Sequence, residues 1–208
     1  MPNILKHLFG KLPMVRSTRA YEFALDNLVN VPPQSYVLDL GAGRGFGSAY
    51  LSQRLHECHI LGLDITHDCF NIHELEFGPH QPYFLLGDAC QLPLADNCLD
   101  VVFVVMTFHC LPEPQGIIHE IARSLKPGGS LILADVDGGH PVAPLFELVE
   151  HMGISRLTHA YTQAELGSIL RKVGMAFEVH KRPNRKNGFM IWVHGRKAPI
   201  ITYNPRCE

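Results

Sequence analysis

Short uninterrupted apolar runs recur along this chain, separated by segments whose apolar residues fall at helical spacing. Runs of this kind suit strands of a parallel sheet that is covered on both faces. They predict strands at residues 36–40, 59–65, 83–89, 99–106 and 130–136, with helices at 49–55, 68–76 and 116–125 between them. Residues 4–30 also carry helical spacing, divided by Pro13 and ended by Pro32-Pro33. In the last third, helices are expected at 142–151 and 163–173, the second opened by the capping-box sequence Thr162-Gln163-Ala164-Glu165. Alternating residues then predict strands at 175–180 and 189–194, joined through 181–188 as a hairpin. Regular alternation of strand and helix implies an α/β fold with a doubly wound, mostly parallel sheet. Right-handed crossovers place the carboxyl ends of its parallel strands along one edge, where ligands bind.

Composition adds that the chain is one globular unit. It has 208 residues, 46% hydrophobic and 18% charged, with a formal net charge of -2. That length supports a single core, and the charge gives no global field to draw in nucleic acid. The organisation expected is an N-terminal helical arm or lid at 1–35, a main domain at 36–197 and a tail at 198–208. The six cysteines include no Cys-x-x-Cys pair and read as reduced, mostly buried thiols. With no secretory pattern at the N-terminus and no long apolar run, the expectations are a cytoplasmic location and no stable membrane insertion.

The chemistry concentrates where the first strand runs into Gly41-Ala42-Gly43-Arg44-Gly45. Glycines there permit left-handed backbone and close approach by a ligand. The spacing Gly-x-Gly-x-Gly differs from the dinucleotide pattern Gly-x-Gly-x-x-Gly, and Asp39 precedes it. A carboxylate at that point is unfavourable for a pyrophosphate but suits a ligand with an ammonium and a sulfonium group. The turn therefore points away from NAD and towards S-adenosylmethionine. Asp64, beside Ile65 at the end of the second strand, follows Gly45 by 19 positions, close to the roughly 20 residues expected of a ribose-binding carboxylate. Asp88 and Ala89 end the third strand in the same manner, a carboxylate for an adenine amino group and an amide for a ring nitrogen.

With these segments in order, the chain resembles the class I S-adenosylmethionine-dependent methyltransferases, in particular their small-molecule branch that includes the ubiquinone and menaquinone C-methyltransferases. Val37 to Gly45 looks like the family's first motif, Leu61-Gly62-Leu63-Asp64 its second, and Gly87-Asp88-Ala89 with Leu99-Asp100-Val101-Val102 its third. Phe108-His109-Cys110-Leu111 and Leu125-Lys126-Pro127-Gly128-Gly129 match the segments after the fourth strand and before the fifth. The resemblance implies a Rossmann-like seven-stranded sheet ordered 3-2-1-4-5-7-6 with strand 7 antiparallel. It also implies S-adenosyl-L-methionine as cofactor, with Asp39, Gly41, Ala42, Gly43 and Gly45 near its methionine part, Asp64 on the ribose and Asp88 with Ala89 at the adenine. Met106 would line the pocket. The acceptor implied is a small molecule methylated on oxygen or carbon.

Transfer from a sulfonium needs a protein base only when the acceptor must lose a proton. His109, at the fourth strand's edge, is the candidate base; its other reading is a structural histidine bonding a neighbouring loop. Asp135 and Asp137 either bound the acceptor pocket or cap the helix expected near 142. His56, His59, His67, His73 and His80 have no metal spacing, and no metal is expected. Lys181, Arg182, Arg185 and Lys186 form a basic loop, read as solvated or, if the acceptor were RNA or protein, as its footprint. No nucleic acid partner is expected, and the Asn/Asp-Pro-Pro-aromatic motif of amino-group methylation is absent: the fourth strand ends Met106-Thr107-Phe108-His109. Leu5, Leu8, Phe9 and Leu12 near Lys6, Lys11 and Arg16 suit a lid over the pocket or a membrane-surface helix.

Overall fold

The computed structural model describes residues 18–66, 75–153, 158–180 and 189–199. Its elements in chain order are α1 (Arg19–Asn27), β1 (Tyr36–Leu40), α2 (Phe46–Arg54), β2 (His59–Asp64), β3 (Tyr83–Leu86), β4 (Leu99–Val105), α3 (Pro114–Ser124), β5 (Leu125–Val136), α4 (Ala143–Gly153), α5 (Gln163–Lys172), β6 (Met175–His180) and β7 (Met190–Lys197). A single 3-10 turn, Phe108–Cys110, sits between β4 and α3. The expected lid residues up to Arg16, the helix residues 67–74 and the basic loop 181–188 lie outside the described residues, as does most of the tail.

One seven-stranded sheet runs β3-β2-β1-β4-β5-β7-β6. The β1, β2, β3, β4 and β5 pairings are parallel, and β7 lies antiparallel between β5 and β6. This is the sheet order expected from the sequence. Period-2 alternation sorts the central strands into two cores. Leu38, Val102, Leu131 and Val193 face α3 and α5, meeting Ile117, Ile121, Leu166 and Leu170. Val37, Phe103, Ile132 and Trp192 face the other way, meeting Ala24 and Tyr21 of α1 and Leu51 of α2. Both faces of β4 are therefore dry beyond Asp100, which is why its run from Val101 to Val105 is apolar.

The third strand ends at Leu86, short of the expected residue 89, so Asp88 and Ala89 lie in the turn beyond it. Helix α1 buries Ala20, Tyr21 and Ala24, and Leu28 and Val29 follow them into the second core. The fifth strand starts at Leu125 rather than Ser130, because Leu99 pairs with Leu125 and Val101 with Ser130, leaving residues 126–129 bulged out. Gly128, at φ +81°, takes the left-handed geometry that this bulge needs. Among the described cysteines only Cys58 is buried; Cys90, Cys98 and Cys110 are half-buried, and none is in a disulfide.

The capping box at α5 forms as its sequence indicates. Thr162 Oγ1 accepts from the Glu165 amide at 3.3 Å, and the Glu165 carboxylate accepts from the Thr162 amide at 2.7 Å. Replacing Thr162 with Ala is expected to lower unfolding free energy by about 1 kcal/mol, read as a shift of the urea midpoint at unchanged slope.

Candidate functional site

The carboxyl ends of β1, β2 and β4 meet at the glycine turn. Gly41, Gly43 and Gly45 have φ of +72°, +51° and +78°, and two of these glycines answer different demands. A Cβ on Gly41 would stand 2.1 Å from Thr107 Cγ2, so the β1 end can lie against the β4 end only without a side chain. A Cβ on Gly43 would meet nothing within 4 Å, so that backbone faces open space. The Gly41 and Ala42 amides both donate to the Leu63 carbonyl, at 2.8 and 3.1 Å, tying the turn to β2.

Asp64 lies beside this turn. Its Oδ2 accepts from the Gly43 amide at 2.9 Å, and its Oδ1 from the Thr66 amide and hydroxyl, both at 3.1 Å. Ile65 next to it is 67% exposed. The Asp64 carbonyl accepts from the Gly87 amide at 2.9 Å, bringing the β3 end into the same edge. There Asp88 Oδ1 accepts from the Cys90 amide at 2.8 Å, and Ala89 is buried. The segment following Asp88 is braced by α3: Glu120 accepts from the Leu92 amide, and Arg123 donates to the Leu92 and Leu94 carbonyls. Asp64, Ile65, Asp88 and Ala89 thus flank the glycine turn as the motif spacing suggested.

Asp39 differs from its sequence reading. It is fully buried on the α1 and α2 side of β1. Its Oδ1 accepts from Tyr21 Oη and its Oδ2 from Ser48 Oγ, both at 2.7 Å. Burial pushes the carboxyl pKa up, the two hydroxyl donors pull against that, and burial likewise holds the Tyr21 phenol well above its usual range. Gly47 makes this possible, because a Cβ there would stand 2.2 Å from Tyr21 Oη. Asp39 therefore supports the turn from beneath instead of presenting a free carboxylate in front of it. Tyr21 carried no sequence signal beyond its helical spacing.

Met106 leaves β4 at φ +53°, a left-handed geometry that costs a non-glycine residue roughly 1–2 kcal/mol. Its amide donates to the Ala134 carbonyl at 2.8 Å, which holds it there. The half-buried side chain touches both the second core and the small cluster of Val136, Ala143 and Ala160.

His109 follows on the 3-10 turn and is buried. Its Nδ1 donates to Asp135 Oδ1 at 2.7 Å and its amide donates to Asp135 Oδ2 at 3.0 Å. Phe146 of α4 meets the ring edge-on at 5.0 Å, and the His109 carbonyl accepts from the His159 amide. Burial disfavours the imidazolium, but the Asp135 charge and hydrogen bond outweigh it and, with Cys110, raise its pKa to about 10. Through these two contacts His109 braces the β4 end against the β5 end. Asp135 neither caps a helix nor stands free. Asp137 Oδ1 accepts from the Gly139 amide at 3.0 Å in the turn ahead of α4. One group of potential metal ligands comes together among the described residues: His109, Cys110 and Glu150, whose ligand atoms all lie within 4.8 Å of one another. The long separation of Glu150 from the other two hid this group from spacing rules. Two open grooves, of about 620 and 750 Å³, lie at the opposite end of the sheet and share His59, Ile60 and Tyr83.

Two outcomes follow from this geometry. Gly41→Ala is expected to destabilise the fold by roughly 1–3 kcal/mol, seen in denaturant melts, with relief when Thr107 is cut to Ala. The groups facing His109 are Asp135 from β5, Glu150 from α4 and the adjacent Cys110. With its folded pKa raised from 6.5 to about 10, the stabilisation from protonated His109 is complete below pH 6.5 and lost as pH rises through about 10. Accordingly His109→Gln should lose roughly 3 kcal/mol at pH 6, and chemical denaturation across pH should show that gap narrowing towards pH 10.

Comparison with known proteins bears on the fold and on the domain that carries this edge. Residues 38–133 match the methyltransferase domain family. The chain is 33% identical over 107 residues to phthiotriol/phenolphthiotriol dimycocerosates methyltransferase 1 of Mycobacterium ulcerans, covering 51% of this chain and 40% of that one. It is 31% identical over 132 residues to the demethylmenaquinone methyltransferase of Paenarthrobacter aurescens, covering 62% and 49%. The chain thus spans about half the length, or less, of the curated relatives it matches. A Thermotoga maritima structure described as a SAM-dependent methyltransferase, possible histamine N-methyltransferase, superposes with TM-score 0.71 at 21% identity, covering 93% of this chain and 95% of that one. Sheet order and motif order are those of the class I S-adenosylmethionine-dependent methyltransferases, and residues 38–133 carry the matched methyltransferase domain.

Proposed function

We propose that this protein transfers the methyl group of S-adenosylmethionine to a small organic acceptor of lipid or quinone type, on oxygen or carbon. The observation that carries the reading is the open backbone at Gly43, held by Asp64 and flanked by the Asp88 strand end. That arrangement is a polar cradle without side chains at the point of closest approach, which suits a nucleoside-linked amino acid. S-adenosylmethionine supplies an electrophilic methyl carbon on a sulfonium. The residues that would hold it are the Gly41 to Gly45 backbone for the methionine part, Asp64 with Ile65 for the ribose, and Asp88 with Ala89 for the adenine. Met106 forms a wall of the pocket, and Asp39 keeps the turn in place from below.

The acceptor side falls to the β4 and β5 ends, where Met106, Phe146 and the His109–Asp135 pair converge. An in-line displacement gains mainly from holding the two partners in line in a site that excludes water. His109 acts in this reading as a positioning residue, fixing the post-β4 turn against β5. The relatives named for menaquinone and dimycocerosate substrates favour an apolar acceptor.

Calorimetry with S-adenosylmethionine and S-adenosylhomocysteine tests the cofactor part. Both are expected to bind, and Asp64→Ala is expected to weaken each by about tenfold or more, the loss of a hydrogen bond to a charged group. Absence of binding by either compound overturns the reading. Methyl transfer to quinol and phenolic lipid acceptors, followed by mass spectrometry, tests the acceptor part.

A further inference from the structure

The group formed by His109, Cys110 and Glu150 is not needed to hold S-adenosylmethionine, and its chemistry is that of a metal site. Its ligand atoms lie within 4.8 Å of one another, a span that a shared cation can close by small side-chain movements. A nitrogen, a sulfur and a carboxylate oxygen form a donor set suited to a borderline-soft dication such as zinc. Asp135 completes the pattern. It takes the His109 Nδ1 proton at 2.7 Å and the His109 amide at 3.0 Å, leaving Nε2 as the nitrogen available to a metal. Ligating histidines are regularly held by such a carboxylate, which fixes the tautomer and the ring plane. Phe146 packs edge-on against the same ring, so its orientation is set on two sides.

We propose that His109, Cys110 and Glu150 bind a zinc-class divalent cation, with Asp135 orienting the histidine. The half-buried Cys110 and Glu150 give the site a side open to solvent, while His109 forms its buried wall. Three protein ligands leave at least one coordination position free.

The test is cobalt and zinc titration of the full chain after removal of metal by a chelator. One equivalent of cobalt is expected to produce a thiolate-to-cobalt charge-transfer band, and Cys110→Ser should abolish it. Competition with a chromophoric zinc chelator should show Glu150→Gln and Asp135→Asn weakening zinc by about 10- to 100-fold, the range for loss of an orienting or ligating group. Circular dichroism of each variant checks that it is folded, and Glu150→Gln, at a half-buried position, keeps the test decisive if Asp135→Asn unfolds. A charge-transfer band that persists in Cys110→Ser, zinc affinity unchanged in Glu150→Gln, or no band in the parent protein overturns the proposal. S-adenosylhomocysteine calorimetry on the same samples reports separately on the methyltransferase reading.

Discussion

The buried carboxylate of Asp39 is the constraint around which the cofactor edge is built. A carboxylate at the dry centre of a parallel sheet loses its hydration and must find donors inside the protein. It finds two, Tyr21 Oη from α1 and Ser48 Oγ from α2. Three successive elements, α1, β1 and α2, are thereby drawn to one point beneath the glycine turn. The first turn of α2 must present Ser48 to Asp39, and Gly47 must lack a side chain so that the Tyr21 ring can reach it. With α2 held there, the residues before it have little choice but the left-handed path through Gly43 and Gly45.

Opposing requirements of this kind recur along the edge. The β1 end lies against the β4 end through Gly41 and Thr107, and the β2 end holds Gly43 through Asp64. The β3 end is tied to Asp64 by the Gly87 amide, and the β4 end is joined to β5 by His109 and Asp135. Each strand end is thus fastened to its neighbour by a polar contact, while the strand bodies are joined by apolar packing on both faces. Rigidity of the edge comes from the first set and stability of the sheet from the second. A methyltransferase needs both, because rate enhancement by alignment is lost when either partner drifts by about an ångström.

The alternation of strands and helices was legible because its signals are local, while the sheet order came from the resemblance that the motifs carry. Apolar runs, the Thr162 to Glu165 capping box and the motifs at the strand ends each act over a few residues. Asp64 was legible for the same reason: a residue at a strand's carboxyl end has its position fixed by the strand. Less legible was the start of β5, where a proline and two glycines read as a turn but form a bulge.

Residues 36–136 by themselves determined the parallel part of the fold and pointed to the edge and the cofactor, since backbone geometry and strand-end position depend on near neighbours. Tertiary structure alone decided what the ionisable groups do there. Asp39 became a buried strut, His109 a brace between strand ends, and Glu150 a neighbour of Cys110, because the partners of a side chain depend on every group packed against it. Those groups come from α1, α4 and β5, and no spacing rule along the chain reports their approach.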